Sequence, residues 1–219
     1  MSTRAIVVVL GKQGAGKGTQ CKRLAQHLDI PHVSTGDILR AAVRDKTQVG
    51  LEVASILEAG QLVSDDLVNR LVKERFNEAD AARGALLDGF PRTDVQAEAL
   101  DEILGDDGVK ICINLDVPNA LVADRLSSRR VCQECGAIYT DSDIEAISGT
   151  CTNCGGDVVQ RADDMPEAII KRLEVYERDT APLLSFYESR GLLVRVDGDQ
   201  DPQEVTAEIL EVLTERGIG

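Results

Sequence analysis

A short apolar run, Ala5 to Leu10, leads without interruption into Gly11-Lys-Gln-Gly-Ala-Gly-Lys17-Gly18-Thr19, where a helical pattern begins. A strand, a glycine-rich turn and a helix in immediate succession form a P-loop context. The glycines let backbone N–H groups converge, and the N-terminal end of the helix adds positive potential, so the turn is suited to phosphate oxygens. Lys17 can reach the β and γ phosphates of a bound nucleotide, which makes it the leading catalytic candidate. One departure from the general pattern is visible: Gly18 stands where Ser or Thr usually follows the lysine, and the hydroxyl comes one place later, at Thr19. A cradle of this kind specifies a nucleotide but not a reaction, because ATPases, GTPases, motors and kinases all use it.

The rest of the chain repeats the strand-then-helix rhythm. Apolar runs at Ala5 to Leu10, Ala85 to Leu87, Val109 to Leu115 and Leu192 to Val196 read as buried strands. Helical patterns lie at Lys17 to Leu28, Asp37 to Ala59 (as a pair), Asp65 to Glu78, Asp94 to Leu104, Pro118 to Ser128 and Pro166 to Arg190, and Pro182 is expected to break or kink the last of these. Helix starts are marked by Ser64 before Asp65-Asp66, by Thr93-x-x-Gln96 as a capping box, and by Asp201-Pro202 with Glu204. This alternation predicts a parallel α/β sheet of about five strands flanked by helices. The stretch 128–164 breaks the rhythm and reads as an inserted small domain.

Composition narrows the function. The formal net charge is -14, which opposes binding to nucleic acid or anionic lipid. Seven lysines stand against seventeen arginines in an Asp-rich chain, a balance seen in salt-adapted proteins but also compatible with ordinary acidic cytoplasmic ones. No apolar run approaches the length of a membrane span. The run after Met-Ser-Thr-Arg is too short for a secretory signal, so a soluble, cytoplasmic protein is expected.

Four of the six cysteines fall as Cys132-x2-Cys135 and Cys151-x2-Cys154, with fifteen residues between the pairs. That spacing predicts a metal site, and four thiolates predict a closed, structural one, filled by zinc or iron. Gly136 and Gly155 follow the knuckles and allow tight positive-φ turns. A nucleic-acid-binding zinc ribbon is disfavoured because the segment from Gln133 to Asp157 has no Lys or Arg. Cys21 and Cys112 read as buried thiols, and His27 and His32, at a helix end and before a short strand, as structural.

Three further strings point to a reaction: Ser34-Thr-Gly-Asp-Ile-Leu-Arg40, Leu86-Leu-Asp-Gly-Phe-Pro-Arg92 with Gln96, and Arg161-x-Asp163-Asp164 followed by Arg172. Together with the P-loop they resemble the adenylate kinase family, of the zinc-binding, long-lid type, in order and spacing from about Ile6 to Asp197. The resemblance implies a core of residues 1–33, 64–127 and 165–219, a mobile AMP-binding flap at 34–63 and a zinc-bound lid at 128–164. It implies reversible phosphoryl transfer from ATP to AMP, with magnesium, in a protein expected to be monomeric.

By the same resemblance, Gly14, Ala15, Gly16, Lys17, Gly18 and Thr19 hold ATP phosphates. Arg125, Arg129, Ile138, Tyr139 and Gln200 complete the ATP site. Thr35, Arg40, Gln61, Leu62, Val63, Gly89, Phe90, Pro91, Arg92 and Gln96 form the AMP site, with Arg161 and Arg172 approaching the AMP phosphate. Lys17, Asp88, Arg92, Arg129, Arg161 and Arg172 form the catalytic group, Asp88 orienting magnesium through water, and Cys132, Cys135, Cys151 and Cys154 hold the structural zinc. Lys12 and Gln13 depart from the family's usual small residue and proline. Gln96 has a second reading, as a cap on its own helix with Thr93. Two competing functions are a kinase for another nucleoside monophosphate and a binding protein that uses ATP only to set its conformation.

Overall fold

The computed structural model describes residues 4–218. Strand β1 (Ala5–Gly11) is buried on both sides, as expected of a run with no polar alternation. Ile6, Val8 and Leu10 point into one hydrophobic cluster, while Val7 and Val9 point into a second on the opposite face of the sheet. Around β1 are β2 (His32–Ser34), β3 (Gly84–Asp88), β4 (Ile111–Asp116) and a late strand, Leu193–Asp197, in the order β2-β3-β1-β4-late strand, all parallel. The predicted five-stranded parallel sheet is therefore present. Its fifth member includes His32, which the sequence reading placed before the strand. Three residues are too few to show a pattern, and β2 exists because it pairs with β3 from His32–Leu86 to Ser34–Asp88.

Helices cover both faces. Helix α1 (Lys17–Leu28) packs on the Val7 face through Cys21 and Leu24. Helices α2 (Thr35–Arg44) and α3 (Gln48–Glu58) form the expected pair, beginning two residues early because Ser34 Oγ caps Asp37 N at 3.3 Å. Helices α4 (Asp65–Phe76) and α5 (Asp94–Leu104) lie on the Ile6 face. Ser64 is the N-cap residue of α4, but its side chain makes no capping bond. Helix α6 (Asn119–Ser128) returns to the Val7 face through Val122 and Leu126.

The stretch after Ser128 forms a separate three-stranded antiparallel sheet from β5 (Arg129–Cys132), β6 (Ile138–Thr140) and β7 (Val158–Val159), with a short helix α7 (Ile144–Ser148). Its apolar centre is small: buried Cys132, Cys151 and Val158, with Ala137, Tyr139 and Ala146 against them.

The long helical pattern that follows is broken where Pro182 requires it. Helix α8 (Pro166–Val175) passes into a π-helical turn, Tyr176–Thr180, before α9 (Pro182–Ser189) starts with the proline in its first turn. Ala181 N donates to Tyr176 O, five residues back, at 2.8 Å. The wider turn accommodates a ring that an uninterrupted α-helix would drive into the carbonyl of residue 178. The late strand is β8, and α10 (Pro202–Glu215) closes the chain, capped by Asp201 through Gln203 N at 2.7 Å.

Candidate functional site

The carboxyl ends of β1, β2, β3 and β8 open into one cleft, through the P-loop, Ser34, Asp88, and Gly198 with Gln200, the place where parallel α/β sheets hold ligands. Gly16, at φ +97°, is the N-cap of α1 and turns the chain so that the helix starts under the loop. A side chain there would be strained, so glycine is required. Lys17 Nζ lies back over the loop, donating to Gly11 O at 2.6 Å and Lys12 O at 2.8 Å. Burial lowers its pKa to about 8, against the opposing pull of Asp88. Asp88 Oδ2 lies 3.2 Å from His32 Nε2 and accepts a hydrogen bond from it when that nitrogen carries the proton. Burial raises the Asp88 pKa, but His32 and Lys17 outweigh it and leave the carboxylate below its ordinary value.

Two cavities meet at this point. The larger, about 420 Å³, is lined by all eleven residues assigned to ATP, from Gly14–Thr19 to Arg125, Arg129, Ile138, Tyr139 and Gln200. The smaller, about 50 Å³, is lined by Thr35, Arg40, Gln61, Leu62, Val63, Gly89, Arg92, Gln96 and Arg172. That volume is well below the roughly 300 Å³ of an ordinary small-molecule pocket, so a nucleotide needs surrounding groups to move apart. Phe90 and Pro91 do not line it. Phe90 is fully buried in the Ile6-face core, and Pro91 is buried beside it. Arg161 lines the larger cleft instead of the smaller one.

Gln96 lines the smaller pocket, and its side chain is engaged by local partners in this conformation. Thr93 Oγ1 caps Gln96 N at 3.2 Å, but the Gln96 side chain does not return to the cap residue. Its Oε1 accepts from Arg92 N at 2.8 Å and its Nε2 donates to Asp65 Oδ1 at 2.8 Å. It thereby fixes the backbone that carries Arg92, and reading a base would require it to exchange these partners.

The cationic residues come together, interleaved with carboxylates. Arg129 makes a two-pronged pair with fully buried Asp164 at 2.5 and 2.7 Å, and Arg172 shares that carboxylate at 2.9 Å. Arg172 also lies 3.1 Å from Asp163, and Arg40 pairs with Asp37 at 2.6 Å. The arginines brought together here form a network in which three carboxylates, Asp37, Asp163 and Asp164, offset part of the positive charge. Burial and the neighbouring Arg172 lower the Arg92 pKa to about 10, and burial with Arg40 and Arg129 lowers that of Arg161 to about 9. Both remain charged at neutral pH.

Residues that the motifs did not single out also line the cleft. Gln13 and Gly36 lie on the walls of both cavities, as do Arg40, Arg92 and Arg172. Gln13 Oε1 is buried with no hydrogen-bond partner among the described residues. Its position within the P-loop string and its departure from the family pattern were the sequence signals of its place. Lys12, the other departure, ties the loop down by donating to Val117 O at 3.1 Å.

In the small sheet the four thiols gather as their spacing predicts. Cys132 Sγ lies 3.5 Å from Cys154 Sγ and Cys135 Sγ 3.6 Å from Cys151 Sγ, and all four fall within 4.8 Å of one another. Sulfurs at ~2.3 Å around a tetrahedral zinc are separated by ~3.8 Å, so the cluster fits that ion. Gly136 and Gly155 take φ +67° and +78°, and their amides donate to Cys132 O and Cys151 O. Tyr139 Oη lies 3.1 Å from Cys151 Sγ, so this cleft residue also braces the cluster. Among the described residues no helix is long and apolar enough to cross a membrane.

A P-loop at the head of a five-stranded parallel sheet, two cavities sharing three arginines and a four-cysteine insert define a nucleotide kinase of the P-loop class. Comparison with known proteins is specific. A family model described as adenylate kinase matches residues 9–192. A Clostridium tetani protein named adenylate kinase is 46% identical over 210 residues, covering 94% of this chain and 97% of the relative. One from Methanocella arvoryzae is 47% identical over 205 residues, covering 92% and 95%, and one from Syntrophomonas wolfei 45% over 210, covering 94% and 98%. The chain belongs to the adenylate kinase family, and the expectation of a nucleoside monophosphate kinase holds.

Proposed function

We propose that the chain catalyses magnesium-dependent, reversible transfer of the γ-phosphoryl group of ATP to AMP, giving two ADP, with a structural zinc in its lid. The observation that carries this reading is the sharing of Arg40, Arg92 and Arg172 by the two cavities. A phosphoryl group passing from one ligand to the other crosses between them.

ATP in the larger cleft would lay its phosphates along Gly14–Thr19, with Arg125, Ile138, Tyr139 and Gln200 around the nucleoside and Arg129 on the phosphate side. AMP in the smaller pocket, once widened, would meet Thr35, Arg40, Gln61–Val63, Gly89, Arg92 and Gln96. An AMP phosphate oxygen, already anionic at neutral pH, attacks the γ-phosphorus, and the bond to the β-phosphate bridging oxygen breaks. No general base is needed. ATP carries roughly four negative charges and AMP roughly two, so the work is positioning and charge neutralisation, which Lys17, Arg92, Arg161 and Arg172 supply. The magnesium that arrives with ATP adds further neutralisation and would be oriented from Asp88. Residues 1–33, 64–127 and 165–219 act as the core, 34–63 as the AMP-binding flap and 128–164 as the lid, in a monomeric cytoplasmic protein without nucleic-acid partners.

The first test is ADP formation from ATP with AMP, UMP, CMP or GMP as acceptor. Transfer confined to AMP is expected, and preference for another acceptor would reassign the smaller pocket. ATP consumption without AMP should be at least tenfold slower than transfer, because closure around both ligands excludes water. Comparable rates would contradict that. Arg92→Ala should raise the KM for AMP at least tenfold while ATP affinity holds. The reverse pattern, measured by titration of each nucleotide, would show that the pockets have been assigned the wrong way round.

A further inference from the structure

Below the P-loop, outside the lid, lies a second group of metal-ligating side chains. Cys21 Sγ from α1, a His32 ring nitrogen from β2 and an Asp88 carboxylate oxygen from the end of β3 lie within 4.8 Å of one another. They come from three rigid elements of the core. Cys21 is fully buried, while the side chains of His32 and Asp88 are only 14% and 12% exposed. Asp88 alone of the three faces the larger cleft, so the group is closed on the protein side and open toward the ligand side. Gly18 faces this side of the group: a Cβ there would stand in ordinary contact with Asp88 Oδ2, at 3.7 Å.

We propose that Cys21, His32 and Asp88 form a second site for a borderline-soft divalent cation such as Zn²⁺, Co²⁺ or Cd²⁺, and that its occupation inhibits the enzyme. One sulfur, one imidazole and one carboxylate, with a fourth position open to the cleft, is a donor set that zinc and its analogues accept in tetrahedral geometry. Magnesium is excluded by the same chemistry, because it requires oxygen ligands in octahedral geometry and holds its water. On binding, the cation displaces the thiol proton to solvent and takes the Asp88 carboxylate as a ligand. Asp88 is then unavailable to orient the magnesium of ATP. The inhibitory half of the proposal rests on the role given to Asp88 above, whereas the binding half does not.

The experiment uses full-length protein whose lid already holds one zinc per chain. Co²⁺ is titrated in, following thiolate-to-cobalt absorption, zinc release into solution and turnover with saturating magnesium, ATP and AMP. Wild type should take up one further equivalent of cobalt with a single-thiolate absorption and no zinc release, and lose at least tenfold in turnover. Cys21→Ala should turn over normally without cobalt, take up no second equivalent and resist inhibition. His32→Gln, which keeps a hydrogen-bond donor for Asp88 but removes the imidazole, should also lose the second equivalent and serves if Cys21→Ala does not fold. No second equivalent in wild type, or the same uptake and spectrum in both variants, would overturn the site. Uptake without inhibition would overturn the inhibitory half and the role of Asp88, leaving the binding site in place.

Discussion

Lys17→Met is expected to lower turnover by at least ~10³-fold while leaving the fold intact, at the upper end of what removal of one preorganised transition-state donor costs. The ammonium is held at the head of α1 by two loop carbonyls, Gly11 O and Lys12 O, rather than by a carboxylate. It can therefore exchange these for phosphate oxygens without breaking an ion pair. Methionine preserves the length and much of the apolar stem and removes only the charge and its donors. Losing two hydrogen bonds of about 1 kcal/mol each is tolerable for a core of this size. Turnover with saturating ATP and AMP, alongside a thermal melt, separates the two effects. A variant with near-normal turnover would remove Lys17 from the mechanism, and one that fails to fold would show its role to be structural.

The second large effect is expected in the lid. Replacing Cys151 and Cys154 by serine should abolish zinc retention, lower the melting temperature and reduce turnover at least tenfold, with ATP affinity largely preserved. The apolar centre of the small sheet is too slight to hold residues 128–164 in place by burial alone, so an ion held by the four cysteines would supply much of the folding free energy there. Losing it frees β5, and with β5 the backbone that carries Arg129. The P-loop stands on the main sheet and does not depend on the lid. Zinc content, melting temperature, ATP titration and turnover on the same preparation decide the matter. Full zinc occupancy would refute the four-cysteine site, and unchanged stability after zinc loss would refute its structural role.

What the sequence discloses and what it conceals divide along physical lines. The P-loop, the parallel sheet and the cysteine knuckles are local patterns, set by strand-length apolar runs, glycine positions and short spacings, and the structure contains each of them. The eleven ATP-assigned residues are likewise together in one cleft. Tertiary placement was less visible. Phe90 stands in a site motif, yet nothing in the string indicates that its ring enters the core while Gly89 and Arg92 face the pocket. The pairing of Arg129 with Asp164, 35 residues away, depends on how β5 meets the segment before α8. The π turn is an intermediate case: Pro182 announces a break, but only packing selects a wider turn over a simple kink.

The depressed acidities of Arg92 and Arg161 bear on what the cleft selects. Burial is the larger cause of the looser hold on the guanidinium protons, and the neighbouring arginines add like-charge repulsion to it. An arriving anion therefore gains twice, from its own attraction and from the repulsion it quenches among the residues around it. That second gain grows with the number of cations one ligand touches at once, so a phosphate chain receives it in full and a single chloride only in part. The chain as a whole carries a formal net charge of -14, which disfavours small anions over its surface generally. Valence, rather than size alone, becomes a criterion for admission, and at high salt the enzyme should discriminate a polyphosphate from the surrounding halide better than a uniformly basic surface would.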